Sequence, residues 1–205
     1  MHIVVIGNDA AYAECKTKLG ENHQYQQVNK LSSTDAAEVV FDFSDEHGAE
    51  KLAIYKESNS PIFLNTVFTT LSAVMGMTKF KSPVFGFCGL PTFFNRSLLE
   101  VTVSNPTDKE KLSELAKELP IEFTVVKDQV GMVTPRVIAM IINEAYEARQ
   151  QGVASREDID LSMKLGTNYP FGPFEWGGKI GLDNVKKLLG SIEKTFLEQK
   201  YHPNF

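Results

Sequence analysis

The chain has 205 residues, 42% of them hydrophobic and 23% charged, which sets it among ordinary globular proteins with enough apolar material for a core. Twenty-one Lys and Arg against 26 Asp and Glu leave a formal net charge of -5, and without a basic run along the chain neither DNA nor RNA is expected as a partner. No stretch approaches the ~18 consecutive apolar residues that cross a bilayer, and the start from Met1 to Gly7 lacks the basic flank of a signal peptide, so a soluble, cytoplasmic protein with no membrane partner is expected. Cys15 and Cys88 form no Cys-x-x-Cys pair, and the histidines at 2, 23, 47 and 202 lack zinc-ligand spacing. No metal site and no disulfide framework are expected.

His2 to Gly7 is an apolar, β-branched run ending in glycine, the pattern of a buried parallel strand. Asn8 and Asp9 then precede a helix over 10–19 that Gly20 closes. This is the opening β-turn-α of a doubly wound sheet. From Glu21 to Thr34 the chain is polar, with Tyr25, Val28 and Leu31 as its main apolar residues, and one weak edge strand is expected there. Buried strands follow at 39–43, 61–65 and 84–88, with a helix over 46–56. Strands alternating with short helices imply a parallel sheet. A strand at 98–103, an amphipathic helix over 109–119 and a strand at 122–126 complete this unit.

The pattern changes at Thr134, where Pro135 at a first helical position opens an apolar helix running to Gln151, with Gly152 as its cap. Ser155 and Asp158 have the spacing of a capping box for a helix over 156–165. Residues 166–178 read as a Gly, Pro and aromatic loop, and 182–198 as the last helix. The expected division is an α/β unit over 1–127 and an all-helical unit over 128–205.

A dinucleotide-binding fold places Gly-x-Gly-x-x-Gly after its first strand, because the pyrophosphate must approach the backbone at the helix N-terminus. Here the residues are Gly7-Asn8-Asp9-Ala10-Ala11-Tyr12. Only the first glycine is present; Asp9 places a negative side chain where phosphates would sit, and Tyr12 stands where a glycine permits close helix packing. No acidic residue for the ribose hydroxyls stands out between Tyr25 and Lys30.

The second half carries a specific resemblance. Val130 to Arg136, Asn143-Glu144-Ala145, Gly152 to Asp160 and Met163 to Trp176, the last with a Tyr-Pro-x-Gly-Pro-Phe-Glu core at 169–175, resemble the C-terminal domain of 3-hydroxyacyl-CoA dehydrogenases, with the 3-hydroxybutyryl-CoA branch the nearest. Weaker similarity extends over the first half. The resemblance implies a Rossmann-like parallel sheet domain, shortened here, followed by a small all-helical domain. It also implies NAD as cofactor, an acyl-CoA-like small molecule as ligand, and a homodimer through the helical domain.

In that family a histidine, held by a carboxylate, removes the hydroxyl proton as hydride passes to NAD, and an asparagine completes the site. Laid without gaps, the resemblance puts the carboxylate at Glu100 and the histidine at Cys88. A shifted placement puts the His-Phe-Phe-Asn segment on Thr92-Phe93-Phe94-Asn95. Neither supplies a histidine. The asparagine position is Pro135, before Arg136. For the cofactor the resemblance indicates Gly7, Asn8, Asp9, Glu46, Lys51 and Asn65, the last in Asn65-Thr66-Val67. The chain is short between the first helix and Val39, where the family inserts a helical pair that grips coenzyme A.

Each candidate has a plainer reading. Glu100 is a catalytic carboxylate or a solvated residue at a strand edge; Cys88 is an acid or base or a buried small residue. Glu46 and Lys51 are cofactor contacts or exposed helix charges, and His47 reads as a surface histidine in the helix after the second strand. Residues 170–176 line an acyl pocket or pack helices together. Three functions stay open at this point: a degenerate family member with impaired or lost hydride transfer and a cleft for an acyl-CoA-like ligand; an active dehydrogenase of fatty acid metabolism using Cys88 or a water held by Glu100; and a dimeric structural or regulatory binding protein.

Overall fold

A computed structural model describes residues 1–30, 36–76 and 78–198; Leu31 and His202 therefore lie outside the described residues. The chain divides into two compact units, Met1–Met132 and Val133–Phe205. No described helix is long and apolar enough to cross a membrane.

The first unit contains β1 (His2–Ile6), α1 (Asp9–Leu19), β2 (Gln24–Val28), β3 (Val39–Asp42), α2 (Ala49–Glu57), β4 (Ile62–Asn65) and α3 (Leu71–Met75). It continues with β5 (Val84–Phe87), β6 (Leu98–Val103), α4 (Asp108–Glu118) and β7 (Glu122–Val125). The strands form one sheet in the order β2-β1-β3-β4-β5-β6-β7. The chain leaves β1 to one side for β2 and then crosses to the other side for β3, each pairing parallel with β1. That reversal is the switch point outside which open α/β sheets bind ligands, at the carboxyl ends of the strands.

Alternate residues of the strands face opposite layers, which is why both faces can be apolar. Ile3, Val5, Phe41, Phe63 and Phe85 pack with Cys15 and Leu19 of α1 and Leu112 and Leu115 of α4. Val4, Ile6, Val40, Ile62 and Leu64 pack with Tyr55 of α2 and Leu71 of α3. The first layer is unusually aromatic: Phe41 stacks on Phe63 at 4.6 Å and meets Phe94 edge-on at 5.2 Å.

The sheet departs from the all-parallel expectation at one pair. β6 runs antiparallel to β5, since the connection between them has no helix long enough to carry the chain back over the sheet. α3 was not expected from sequence; five residues carry too little periodicity, and it is fixed by Thr70, whose side chain accepts from Ala73 N. α2 begins at Ala49, three residues later than the spacing suggested, which leaves Glu46 and His47 in the preceding loop.

The second unit contains α5 (Thr134–Gln150), α6 (Arg156–Thr167), α7 (Pro173–Ile180) and α8 (Leu182–Glu198). α7 takes up residues 173–178 of the segment expected to be a loop and runs on to Ile180. Gly172 and Pro173 read as breakers, yet at the N-cap and first-turn positions they start a helix. Ile138, Ala139 and Ile142 of α5, Phe174, Trp176 and Ile180 of α7, and Val185, Leu188 and Ile192 of α8 form the core. A Cβ on Gly177 would lie 3.1 Å from Leu182 and 3.4 Å from Ile142, so glycine lets α7 sit close to both neighbours.

Candidate functional site

The β1–α1 turn stands at the switch point, and several of its polar groups are engaged by the chain itself. Asn8 is extended, as an N-cap must be, and its Oδ1 accepts from Ala11 N at 2.9 Å. A Cβ on Gly7 would lie 3.1 Å from Ala11 Cβ and 3.2 Å from Phe43 Cβ, so glycine here serves packing against α1 and the end of β3. Asp9 opens the helix, where a carboxylate complements the positive end of the dipole. Gln27, at the end of β2, donates from Nε2 to Asp9 Oδ1 and to Gly7 O, both at 3.1 Å. Sequence reasoning missed Gln27, whose only signal was its place near the end of the edge strand.

Lys51 and Glu46 do come together, but not as two outward charges. Asp42, fully buried at the end of β3, accepts from Lys51 Nζ at 2.5 Å, Tyr55 OH at 2.7 Å and both N and Oγ of Ser44. Lys51 Nζ also donates to Ser44 Oγ and, at 3.0 Å, to the Glu46 carbonyl. The ammonium is thereby turned inward, while the carboxylate of exposed Glu46 takes no part.

Asn65 ties three strand ends together. Its Nδ2 donates to Phe43 O at 3.1 Å, and its Oδ1 accepts from Gly89 N at 2.9 Å. Gly89 is required there, because a Cβ would lie 2.8 Å from the Asn65 side chain. The Asn65 carbonyl is 2.9 Å from Nε2 of His47. His47 is thus no surface histidine in a helix: it is a half-buried loop residue bridged to β4, and burial lowers its pKa below the ordinary value of 6.5.

Cys88 follows β5 and is 3% exposed. Burial pushes its thiol far above the ordinary thiol range, the backbone bond from Leu90 opposing and the charge of Glu100 adding to the rise. Burial of this kind disfavours the thiolate, which supports the plainer reading of Cys88 as a buried small residue. Glu100, partly buried on β6, acts electrostatically on both Cys88 and half-buried Arg96.

In the shifted placement the segment Thr92–Asn95 forms part of the loop after β5. Glu14 of α1 accepts from Thr92 N at 3.3 Å and Asn95 N at 3.0 Å, holding the loop after β5. Thr92 has φ of 76°, a left-handed conformation costly for a β-branched residue. Pro135 lies buried in the first turn of α5 and has no side-chain donor. Among the described residues no group of three His, Cys, Asp or Glu is placed to hold a metal.

In the second unit the aromatic segment is organised by a residue that sequence reasoning did not single out. Asp160, 8% exposed on α6, accepts from Phe174 N at 2.8 Å and Glu175 N at 3.2 Å, capping α7 from a distance. A Cβ on Gly172 would collide with that carboxylate. Glu175 reaches back to Gly172 N at 3.1 Å and pairs with Lys164 at 2.8 Å. Phe174 is fully buried, and Trp176 packs edge-on against Tyr169 and Phe171. The segment thus builds the helical core.

A doubly wound, mostly parallel sheet followed by a helical unit is also the architecture of the solved 3-hydroxybutyryl-CoA dehydrogenases that resemble the chain in fold. Residues 131–205 match the family model described as the C-terminal domain of 3-hydroxyacyl-CoA dehydrogenase. The chain is 34% identical over 148 residues to 3-hydroxybutyryl-CoA dehydrogenase of Clostridioides difficile, covering 68% of this chain and 51% of that protein. It is 31% identical over 202 residues to mitochondrial hydroxyacyl-coenzyme A dehydrogenase of Homo sapiens, covering 90% and 64%. Over a shorter stretch of 78 residues it is 46% identical to 3-hydroxyadipyl-CoA dehydrogenase of Escherichia coli K12, covering 38% of this chain and 16% of that protein. The chain therefore spans less than two thirds of the length of each of these relatives. In fold it superposes on (S)-3-hydroxybutyryl-CoA dehydrogenase from Ralstonia eutropha with a TM-score of 0.71 at 22% identity, covering 98% of this chain and 90% of that one. The corresponding enzyme from Escherichia coli K12 gives 0.72 at 19% identity, covering 96% and 53%. The chain belongs to the 3-hydroxyacyl-CoA dehydrogenase family.

Proposed function

We propose that this chain is a family member in which NAD-dependent hydride transfer is lost and which keeps a site for an acyl-CoA-like small molecule. The observation that carries the reading is the β1–α1 turn. In the family NAD would accept or supply the hydride, and its pyrophosphate would be met by unshielded backbone N–H groups at the start of α1. Here Asn8 caps Ala11, and the Asp9 carboxylate stands at the helix end, held by Gln27. These residues do not fit an incoming pyrophosphate, because a fixed negative charge already complements the helix end.

The acid–base chemistry is weakened separately. Cys88 is buried, which disfavours its thiolate, and Pro135 has no donor; loss of a general base costs ~10² to 10⁴ in rate. The acyl-CoA-like ligand rests on family membership and on the intact helical unit. That unit also supports a homodimer, since Val137 and Met140 on α5 are 49% and 50% exposed.

The test is calorimetric titration with NADH and, separately, acetoacetyl-CoA, combined with an assay of NADH oxidation by acetoacetyl-CoA. The expected result is no saturable NADH binding up to millimolar cofactor, no turnover, and saturable binding of acetoacetyl-CoA alone. Micromolar NADH binding or measurable turnover overturns the loss of hydride transfer and returns an active dehydrogenase. Absence of acetoacetyl-CoA binding overturns the ligand assignment.

A further inference from the structure

The loop between β3 and α2 is held to the sheet by a small number of polar ties. Phe43 O accepts from Asn65 Nδ2, Ser44 folds onto Asp42, the Glu46 carbonyl accepts from Lys51, and His47 reaches the Asn65 carbonyl. Amide and hydroxyl donors do not titrate, and lysine does so far above neutrality. Only the imidazole tie uses a donor whose charge changes near neutral pH.

A carbonyl oxygen only accepts, so the proton of the neutral ring lies on Nε2, and Nδ1 is a bare acceptor. Nδ1 is buried and has no hydrogen-bond partner. A second proton would place a buried N–H, with a full charge, where nothing accepts it, and an unsatisfied buried donor is costly, more so when charged. A ring that turns outward to give the new N–H an acceptor in water gives up the bond to Asn65.

We propose that His47 is a proton-controlled latch: neutral, it pins the β3–α2 loop to β4, and protonated, it releases the segment around Glu46. Asp42 from β3 and Asp45 from the loop favour the charged ring, as does the Asn65 carbonyl from β4, while Lys51 from α2 opposes it. Burial outweighs them and sets the net direction downward. The proposal does not depend on whether the protein binds NAD.

The experiment uses the full chain, uniformly ¹⁵N-labelled, with NMR titration of the ring nitrogens, and limited digestion with a glutamate-specific protease across pH 5.5 to 7.5. His47 is expected as the Nε2–H tautomer, titrating below 6.5. Cleavage after Glu46, normalised to a free peptide of the same sequence, is expected to rise by about tenfold from pH 7.5 to 5.5. In His47→Gln the amide donates to Asn65 without titrating, and its cleavage is expected to stay flat. An Nδ1–H tautomer or a His47 pKa at or above 6.5 overturns the proposal. So does the same pH dependence of cleavage in His47→Gln, provided its core resonances match the wild type.

Discussion

Asp9→Asn removes the charge at the head of α1 and keeps the side chain's size. A dinucleotide brings two phosphate charges to that position. Two unit charges at ~4 Å repel by about 1 kcal/mol in water, and because Asp9 is exposed the water value applies. Two phosphates give about 2 kcal/mol, so the substitution is expected to tighten NADH binding roughly thirtyfold. Asp9→Gly also removes the atoms held by Gln27 and is expected to gain more. The assay is NADH titration by calorimetry for wild type and both variants, with uncharged adenosine as control. Repetition at high salt separates the causes: the Debye length falls from ~10 Å at 0.1 M to ~3 Å at 1 M. The Asp9→Asn gain should shrink there, while the steric part of the Asp9→Gly gain should remain. Equal NADH affinity of wild type and Asp9→Asn at low salt would refute the reasoning.

Cys15 and Cys88 are both buried, and burial raises both thiols; Ellman's reagent at pH 8 should leave the native protein unreacted and titrate both after denaturation. Fast native modification of Cys88 would restore it as a candidate reactive group. Asp160→Ala leaves the Phe174 and Glu175 N–H groups without their acceptor and is expected to cost about 3 kcal/mol, lowering Tm by about 6–12 °C in thermal denaturation. An unchanged Tm would show that water replaces the cap. Met140→Glu should reduce the sedimentation mass from dimer to monomer with the helical signal kept; a monomeric wild type would remove the α5 contact.

β1, β3, β4 and β5 were legible because each is a short run of largely buried, mostly apolar residues, such as Val39 to Phe41 and Ile62 to Leu64. α1 was legible from Asn8 and Gly20, which act locally. What stayed hidden depends on partners distant in sequence. His47 is a surface residue or a buried bridge according to a carbonyl 18 positions away. Gln27 reaches the β1–α1 turn only because β2 lies beside β1. α7 looked like a loop because its cap, Asp160, is on another helix and its Gly and Pro were read without that acceptor. The orientation of β6 likewise followed from connection geometry rather than from the residues of the strand.

The same distinction accounts for which parts of the family pattern the chain keeps. In the helical unit, Gly172 leaves room for Asp160, Asp160 caps α7, Glu175 closes the turn and Phe174 fills the core. Each is required for folding, whatever the protein binds. In the sheet unit, the glycine fingerprint and the catalytic histidine are demanded by ligands alone, since a fold gains nothing from an exposed anion site or a half-buried base. Positions of that kind are free to take residues that stabilise the chain. Asp9 complements the helix dipole and Cys88 fills space beside Phe87. Gly7, by contrast, is needed for packing against Ala11 and Phe43 and is retained. If hydride transfer is lost as proposed, positions that only a ligand demands are free to change, whereas Gly7, Gly172 and Asp160 stay fixed by the packing and capping they provide.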